Sequence, residues 1–210
     1  MLALGFVSPV SVLAATTPSL GAAATYSVLS STYTNTTAGT TINGDVGFTT
    51  GPAVAPAGVH TNYGSSAPYA TAGGDQNNAL SSLASQACDF TFSSATDLSL
   101  LPQPLTAGVY CVTGAQSVGT AGITLGPGTY IFRSTGALNT VANSHVTGGN
   151  ACNVFWTPSA ATTLGANSSF LGTDIDAAGI TVGSTVTWTG RALAFGGTVT
   201  TDTDTINTPS

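Results

Sequence analysis

The chain has 210 residues and a formal net charge of −6, with two cations, Arg133 and Arg191, no Lys and no Glu. Phosphate contacts depend on Lys and Arg in number, so nucleic acid and anionic membrane surfaces are excluded as partners. With 42% hydrophobic residues the chain buries a core as one domain rather than staying disordered, which leaves Thr, Ser, Asn, Gly and Ala to face water.

Met1–Ala15, MLALGFVSPVSVLAA, is apolar, too short to span a bilayer, and ends in small residues. It reads as the remnant of a signal peptide without its basic start, the rival reading being a strand of the fold. The mature protein is then exported and soluble from about Thr16, and no later stretch approaches the ~18 apolar residues of a membrane helix. Cys88, Cys111 and Cys152 are an odd count, so in an exported protein two pair and one remains. Cys88 and Cys111 flank one Pro-containing excursion and are the natural pair, although sequence alone leaves the pairing open. Cys152, in NACNVFW, reads as a buried small hydrophobe.

Gly73–Asp89 departs from the two-residue alternation that prevails elsewhere. Asp75 is an N-cap candidate, and Ala79, Leu80, Leu83, Ala84 and Ala87 form one apolar stripe. This spacing predicts a single amphipathic helix over about 75–87, followed by an irregular capping excursion over about 90–106. From Val109 onward the sequence writes as stacked coils of three short strands with a Gly, Asn or Ser turn at each corner. Tyr110, Ile131, Phe155, Ile175 and Leu193 recur at separations of 21, 24, 20 and 18 residues, the rhythm of a triangular parallel solenoid. An antiparallel β-sandwich is the rival, but it does not account for that spacing.

The three strand classes differ in chemistry. The first (YIF, VFW, RALAF) is apolar on both sides and needs a cover, for which the helix is available. In the second, Leu164, Ile180 and Val199 point in, while Thr163, Thr181, Thr198 and Thr200 point out. The third is mixed, with His145, Trp188 and Asn207 breaking any uniform pattern.

Several blocks in this order resemble the ice-binding protein family of the DUF3494 type: LGAAATYSVLSSTYTNT and TTINGDVG (20–47), AGVYC (107–111), GTYIFR (128–133), NVFW (153–156), SSFLGT (168–173), GITVGSTVTWTGRALA (179–194) and TVTTDTDTI (198–206). The resemblance implies an all-β fold, a right-handed discontinuous β-solenoid of triangular cross-section with one long helix alongside. It also implies that the N-terminal strands sit among the C-terminal coils, and that one flat face adsorbs to ice. Carried over by position, that face holds Thr32, Thr34, Thr36, Asn139, Thr163, Thr181, Thr198, Thr200 and Asp202. Asp174 and Asp176 depart from the family pattern, which has aliphatic residues there, and Trp188 stands where a small β-branched residue is common.

Thr suits such a face because its β-branch fixes χ1, holding hydroxyl and methyl in place, and because ordered water bridges surfaces nearly as well as direct hydrogen bonds. Enzymatic readings fare worse. His60 and His145 lie in no nucleophile or metal motif, so no catalytic residue and no metal site is assigned. Asp174/Asp176 and Asp202/Asp204 have the spacing of paired carboxylates, but with so few cations they read as solubilising groups near the open end of the stack; six Ca²⁺ ligands are not identifiable. Asn35-Thr36-Thr37 and Asn167-Ser168-Ser169 are glycosylation sequons, and a glycan at Asn35 would obstruct the face. The resulting expectation is a secreted, monomeric, cofactor-free protein whose partner is the ice crystal surface, the competing function being an adhesin-like or carbohydrate-binding surface module.

Overall fold

The computed structural model describes residues 14–209; of the leader reading, Met1–Ala15, only Ala14 and Ala15 fall inside them. Four strands, β1 (Tyr26–Asn35), β2 (Thr41–Asn43), β3 (Asp45–Gly47) and β4 (Asn62–Tyr63), precede the helix α1 (Ala67–Ala84). After it come β5 (Phe90–Phe92), β6 (Thr96–Asp97), β7 (Gly108–Val112), β8 (Gln116–Val118), β9 (Ile123–Leu125), β10 (Tyr130–Thr140) and β11 (Val146–Gly148). The chain closes with β12 (Val154–Leu164), β13 (Ser169–Ile175), β14 (Ile180–Val182), β15 (Thr187–Thr201) and β16 (Thr205–Asn207).

The strands wind as a right-handed β-solenoid of triangular section in which successive coils pair in parallel. Along the first face the order is β4-β3-β1-β15-β13-β12-β10-β7-β5. The first strand, β1, therefore lies inside the stack rather than at its end. β1 lies directly against β15, and β2 against β16, so the N-terminal coils extend the C-terminal end. From there α1 runs back along the first face to where β5 starts the descending coils. Its 18 residues span ~27 Å, enough to cover five or six strands at ~4.8 Å each.

The helix starts and ends earlier than its sequence pattern predicts. It runs from Ala67 to Ala84 rather than 75–87, with Ser66 at the N-cap and Pro at its first turn, a position that suits a residue lacking an N–H. The Gly73-Gly74 pair reads as a breaker, yet Gly73 is there for close approach: a Cβ on it would lie 2.3 Å from the Phe195 ring. Asp75 is mid-helix, not a cap, and its carboxylate accepts from the Ala22 N–H at 2.7 Å. Tyr69, Ala72, Gln76, Ala79 and Leu83 are the buried stripe, meeting Ile131, Phe155, Ile175, Leu193 and Leu29 of the first face. Val109, not Tyr110, is the matching residue of the β7 coil; Tyr110 points inward and stacks on Phe90 at 4.5 Å.

At its far end α1 is tied down by Arg133, whose guanidinium donates to the carbonyls of Leu83 (3.1 Å) and Ala84 (2.5 Å). A cation against the last carbonyls of a helix complements its dipole. The same guanidinium lies over the sulfurs of the Cys88–Cys111 disulfide, whose Cα atoms are 5.8 Å apart. Cys152 is a free, half-exposed thiol in a 3₁₀ turn rather than a buried strand residue.

Inside the coils an aromatic column runs Phe132–Trp156–Phe170–Trp188, with centroids 4.2, 5.1 and 5.2 Å apart. Trp188 is fully buried, its indole N–H donating to the Gly172 carbonyl at 2.8 Å, so it does not interrupt the surface of the third face. Asp174 interrupts the core instead. It occupies the inward column between Trp156 and Ala192, and neither carboxylate oxygen has a hydrogen-bond partner. Asp176 is equally buried but satisfied, accepting from the Thr162 hydroxyl (3.1 Å) and the Ala178 N–H (2.8 Å). Asp204 is buried at a corner, where its carboxylate accepts from the Val186 and Asp202 N–H groups. Of the four acids read as solubilising groups, only Asp202 keeps partial exposure: the coil turns Asp176 and Asp204 toward backbone N–H groups and Asp174 into the apolar interior.

Burial, reinforced by the neighbouring Asp176 carboxylate, raises the Asp174 carboxyl well above the ordinary range, and burial pushes Asp204 up to about 6. A folded-state pKa above the unfolded value of ~3.9 gives stability that is complete below that value and lost as pH rises through the folded pKa. The melting temperature should therefore fall from pH 4 toward neutrality, most of the Asp204 share being lost by pH 6. Asp174→Asn, neutral at every pH, should flatten that decline and raise stability at pH 8 by on the order of 1–3 kcal/mol, because it removes the cost of protonating or burying the carboxylate there. Calorimetry of both proteins across pH 4–8 measures it.

Candidate functional site

The second face of the solenoid is built from the C-terminal halves of β1, β10, β12 and β15 together with β6, β8 and β14. Strand alternation decides what it shows. Leu138, Leu164, Ile180, Val182, Val199 and Tyr33 turn inward and are buried. The residues between them turn out and fall into one register column, Asp97–Ser117–Asn139–Thr163–Thr181–Thr200–Thr34. Four consecutive coils thus carry Thr at the same position, with methyls and hydroxyls repeated at ~4.8 Å.

A second column begins two residues earlier with Thr198 beside Thr32, and Thr50 bridges to Thr32 in the coil beyond. It loses its hydroxyls toward β14 and β12, where the corresponding residues before Ile180 and Thr162 are Gly179 and Ala161. Thr36 and Asp202 are not in the strands; both stand in turns after β1 and β15, at the border of the face. The structure therefore places Thr32, Thr34, Asn139, Thr163, Thr181, Thr198 and Thr200 on one surface, with Thr36 and Asp202 at its rim. Ser117 was legible from the alternation in AQSVG and extends the main column. Thr50 had no sequence signal, since only the bridge to Thr32 brings it to the face.

Neither arginine reaches this surface. Arg133 caps α1, and Arg191 donates to the Ala24 carbonyl (2.9 Å) on the helix side. Asn35, between Thr34 and Thr36, points inward: its Nδ2 donates to the Val54 carbonyl at 2.9 Å, and its Oδ1 accepts from Thr40 (2.9 Å) and Thr201 (3.3 Å). A glycan there is incompatible with the folded chain, so the sequon at Asn35 does not threaten the face.

A concavity lies elsewhere, a groove of about 620 Å³ between α1 and the first face, lined by Leu80, Ala84, Arg133, Ile175 and Asp176 among others. Its two charged residues are committed, Arg133 to the helix carbonyls and Asp176 to Thr162 and Ala178. Among the described residues no three His, Cys, Asp or Glu converge as metal ligands, and no described helix is long and apolar enough to cross a membrane.

The molecule is thus a right-handed β-solenoid with one helix laid along it and one hydroxyl-bearing face whose central coils, from Ser117 to Thr34, carry no charge. The chain belongs to the ice-binding-like family, whose model matches residues 28–207. It is similar to an ice-binding protein from an Antarctic biological consortium, at 27% identity over 96% of each chain and a TM-score of 0.85. An ice-binding protein from an Antarctic Flavobacteriaceae bacterium is also 27% identical, with 93% of this chain matched to 48% of that one and a TM-score of 0.78. The DUF3494 domain of an ice-binding protein from Shewanella frigidimarina shares the fold at 21% identity, over 94% and 100% of the two chains, with a TM-score of 0.80. No curated protein matches the chain.

The division between face and core is testable by stability. Asn35→Ala should destabilise by on the order of 1–3 kcal/mol, because it orphans the Val54 carbonyl and the Thr40 hydroxyl, while Thr201 keeps its bond to Tyr33. Thr34→Ala, one residue away and pointing out, should cost under about 1 kcal/mol. Urea denaturation of the pair decides between this alternation and its opposite.

Proposed function

We propose that the protein adsorbs to ice through the Thr face, holding back crystal growth to give thermal hysteresis and recrystallisation inhibition. It does so outside the cell, as a monomer, without cofactor, metal or catalytic step. The observation that carries this reading is the unbroken register column Thr163–Thr181–Thr200–Thr34.

Ice offers an uncharged lattice of oxygens and no feature to fill a pocket, so adhesion needs area and order. The column supplies order twice: the backbone ladder sets the spacing between strands, and the β-branch restricts each side chain before contact. Little entropy remains to be lost when the face meets ice. Each hydroxyl anchors a water of an ordered layer, while the neighbouring methyl keeps competing water from binding strongly. A Lys or Glu would hold a mobile hydration shell instead, and the chain has neither.

Thr181, exposed at the centre of the column, is the place to test this. Thr181→Tyr should reduce the hysteresis gap to the level of buffer alone and leave round, unfaceted crystals. Its circular dichroism and melting temperature should match the parent, as for most exposed substitutions. A folded Thr181→Tyr protein with full hysteresis would place ice contact on another surface.

A further inference from the structure

A smaller hollow, of about 470 Å³, opens on the helix side of the stack, at the end where α1 begins. Ala22 of the 3₁₀ turn Gly21–Thr25, Tyr26 of β1, Asp45 of β3, Tyr63 of β4 and Pro68 in the first turn of α1 meet there. Tyr26 and Asp45 are register partners across two strands, and the Tyr63 ring leans on that of Tyr26, centroids 5.6 Å apart and tilted by 49°. Tyr26 is only 2% exposed, and its buried hydroxyl has no hydrogen-bond partner. A buried hydroxyl left unpaired is destabilising, and Phe would fill the same space without that cost. The group calls for a partner from outside the chain.

The hollow is negative as well as aromatic. Burial, and after it the Asp45 carboxylate and the Tyr63 phenol, push the Tyr26 hydroxyl up to about 12. Neither cation of the chain is turned to Asp45: Arg191 donates to the Ala24 and Pro209 carbonyls and the Thr173 hydroxyl, and Arg133 holds the far end of α1. A protonated amine would find three oxygen acceptors here and two ring faces to approach, while Ala22 and Pro68 suit an alkyl stem. A sugar is gripped by forked donors such as Arg or Asn, and none lines the hollow. Tyr63 is half-exposed on the last strand of the stack, so its ring can turn aside and open the Tyr26 hydroxyl without moving a coil. Such rotamer changes on binding are common.

We propose that this hollow binds a primary alkylammonium group, with Asp45 as its counter-ion, the Tyr26 and Tyr63 hydroxyls as acceptors and their rings as a cation–π wall. A free amine and a lysine side chain of another protein present the same chemistry. The proposal does not depend on the ice-binding reading, since the hollow and the Thr face lie on different sides of the stack.

The test is an NMR titration of the full chain at pH 7 and constant ionic strength, with butylammonium, putrescine and Nα-acetyl-lysine amide as probes and glucose and phosphate as contrasts. The amines should shift the Tyr26 and Tyr63 ring signals saturably. Asp45→Asn should weaken that binding about tenfold or more, as loss of a counter-ion does. Tyr26→Phe should weaken it several-fold while the melting temperature of the free protein holds or rises, an outcome a merely structural hydroxyl would not give. Thr181→Tyr should bind amines like the parent. Tighter binding of the lysine derivative than of the free amines supports the proposal with a protein as the source, and the reverse order supports it with a small amine. No saturable shift with any amine, or a shift with glucose or phosphate in their place, overturns it. Unchanged amine binding in folded Asp45→Asn overturns it as well, and if that variant does not fold, Tyr26→Phe decides in the same way.

Discussion

The pairing of β1 against β15 is the contact on which the remaining architecture depends. It places β1 inside the stack, so residues separated by some 165 positions become neighbours, as Thr34 and Thr200 do. Without it the coil from β15 would end in an open strand edge, which is prone to pair with another chain. The main column would also lose Thr34, and the second column would lose both Thr32 and Thr50. The face is therefore a product of chain closure, not of the descending coils alone.

The same closure explains why the helix is where it is. After β4 the chain is at one end of the stack and must return to the other before β5 can begin. A helix is the economical connector, since it satisfies its own backbone groups while crossing the strands. The apolar outer side of the first face needs cover, and α1 supplies it through Tyr69, Ala72, Ala79 and Leu83. Gly73 and Phe195 set the depth of that contact, while Asp75 and Arg133 pin the helix to residues far apart in sequence. Covering one face leaves the others to water, and so separates a structural side from a side open to adsorption.

Rigidity on the open side has an internal origin. The stacked aromatic column holds the coils at fixed separation, and the Trp156 and Trp188 N–H groups are satisfied by the Leu171 and Gly172 carbonyls. Asp174 is the carboxylate in this core whose two oxygens both lack a partner, and the buried Gln116 amide is unpaired as well. No cation neutralises Asp174, so burial favours its protonated form. A stack with many parallel hydrogen bonds tolerates such defects where a small core would not.

Much of this was legible in the residues. The recurrence near 20, the two-residue alternation and the uncharged outward Thr positions reflect local rules, since a strand shows its pattern wherever it is placed. They sufficed for the solenoid, for the apolar class that needs a cover, and for the outward direction of Thr163, Thr181 and Thr200. What they could not reach depends on which parts of the chain meet. Alternation predicts two sides for a strand but not which side is water, so Asp174, Asp204 and Trp188 read as surface residues although the coil encloses them. Glycine propensity argues for breaking a helix at Gly73, whereas contact with Phe195 requires a residue without a side chain there. Sequence determined the repeat and its chemistry; tertiary structure decided the register, because only stacking says which coil lies beside which.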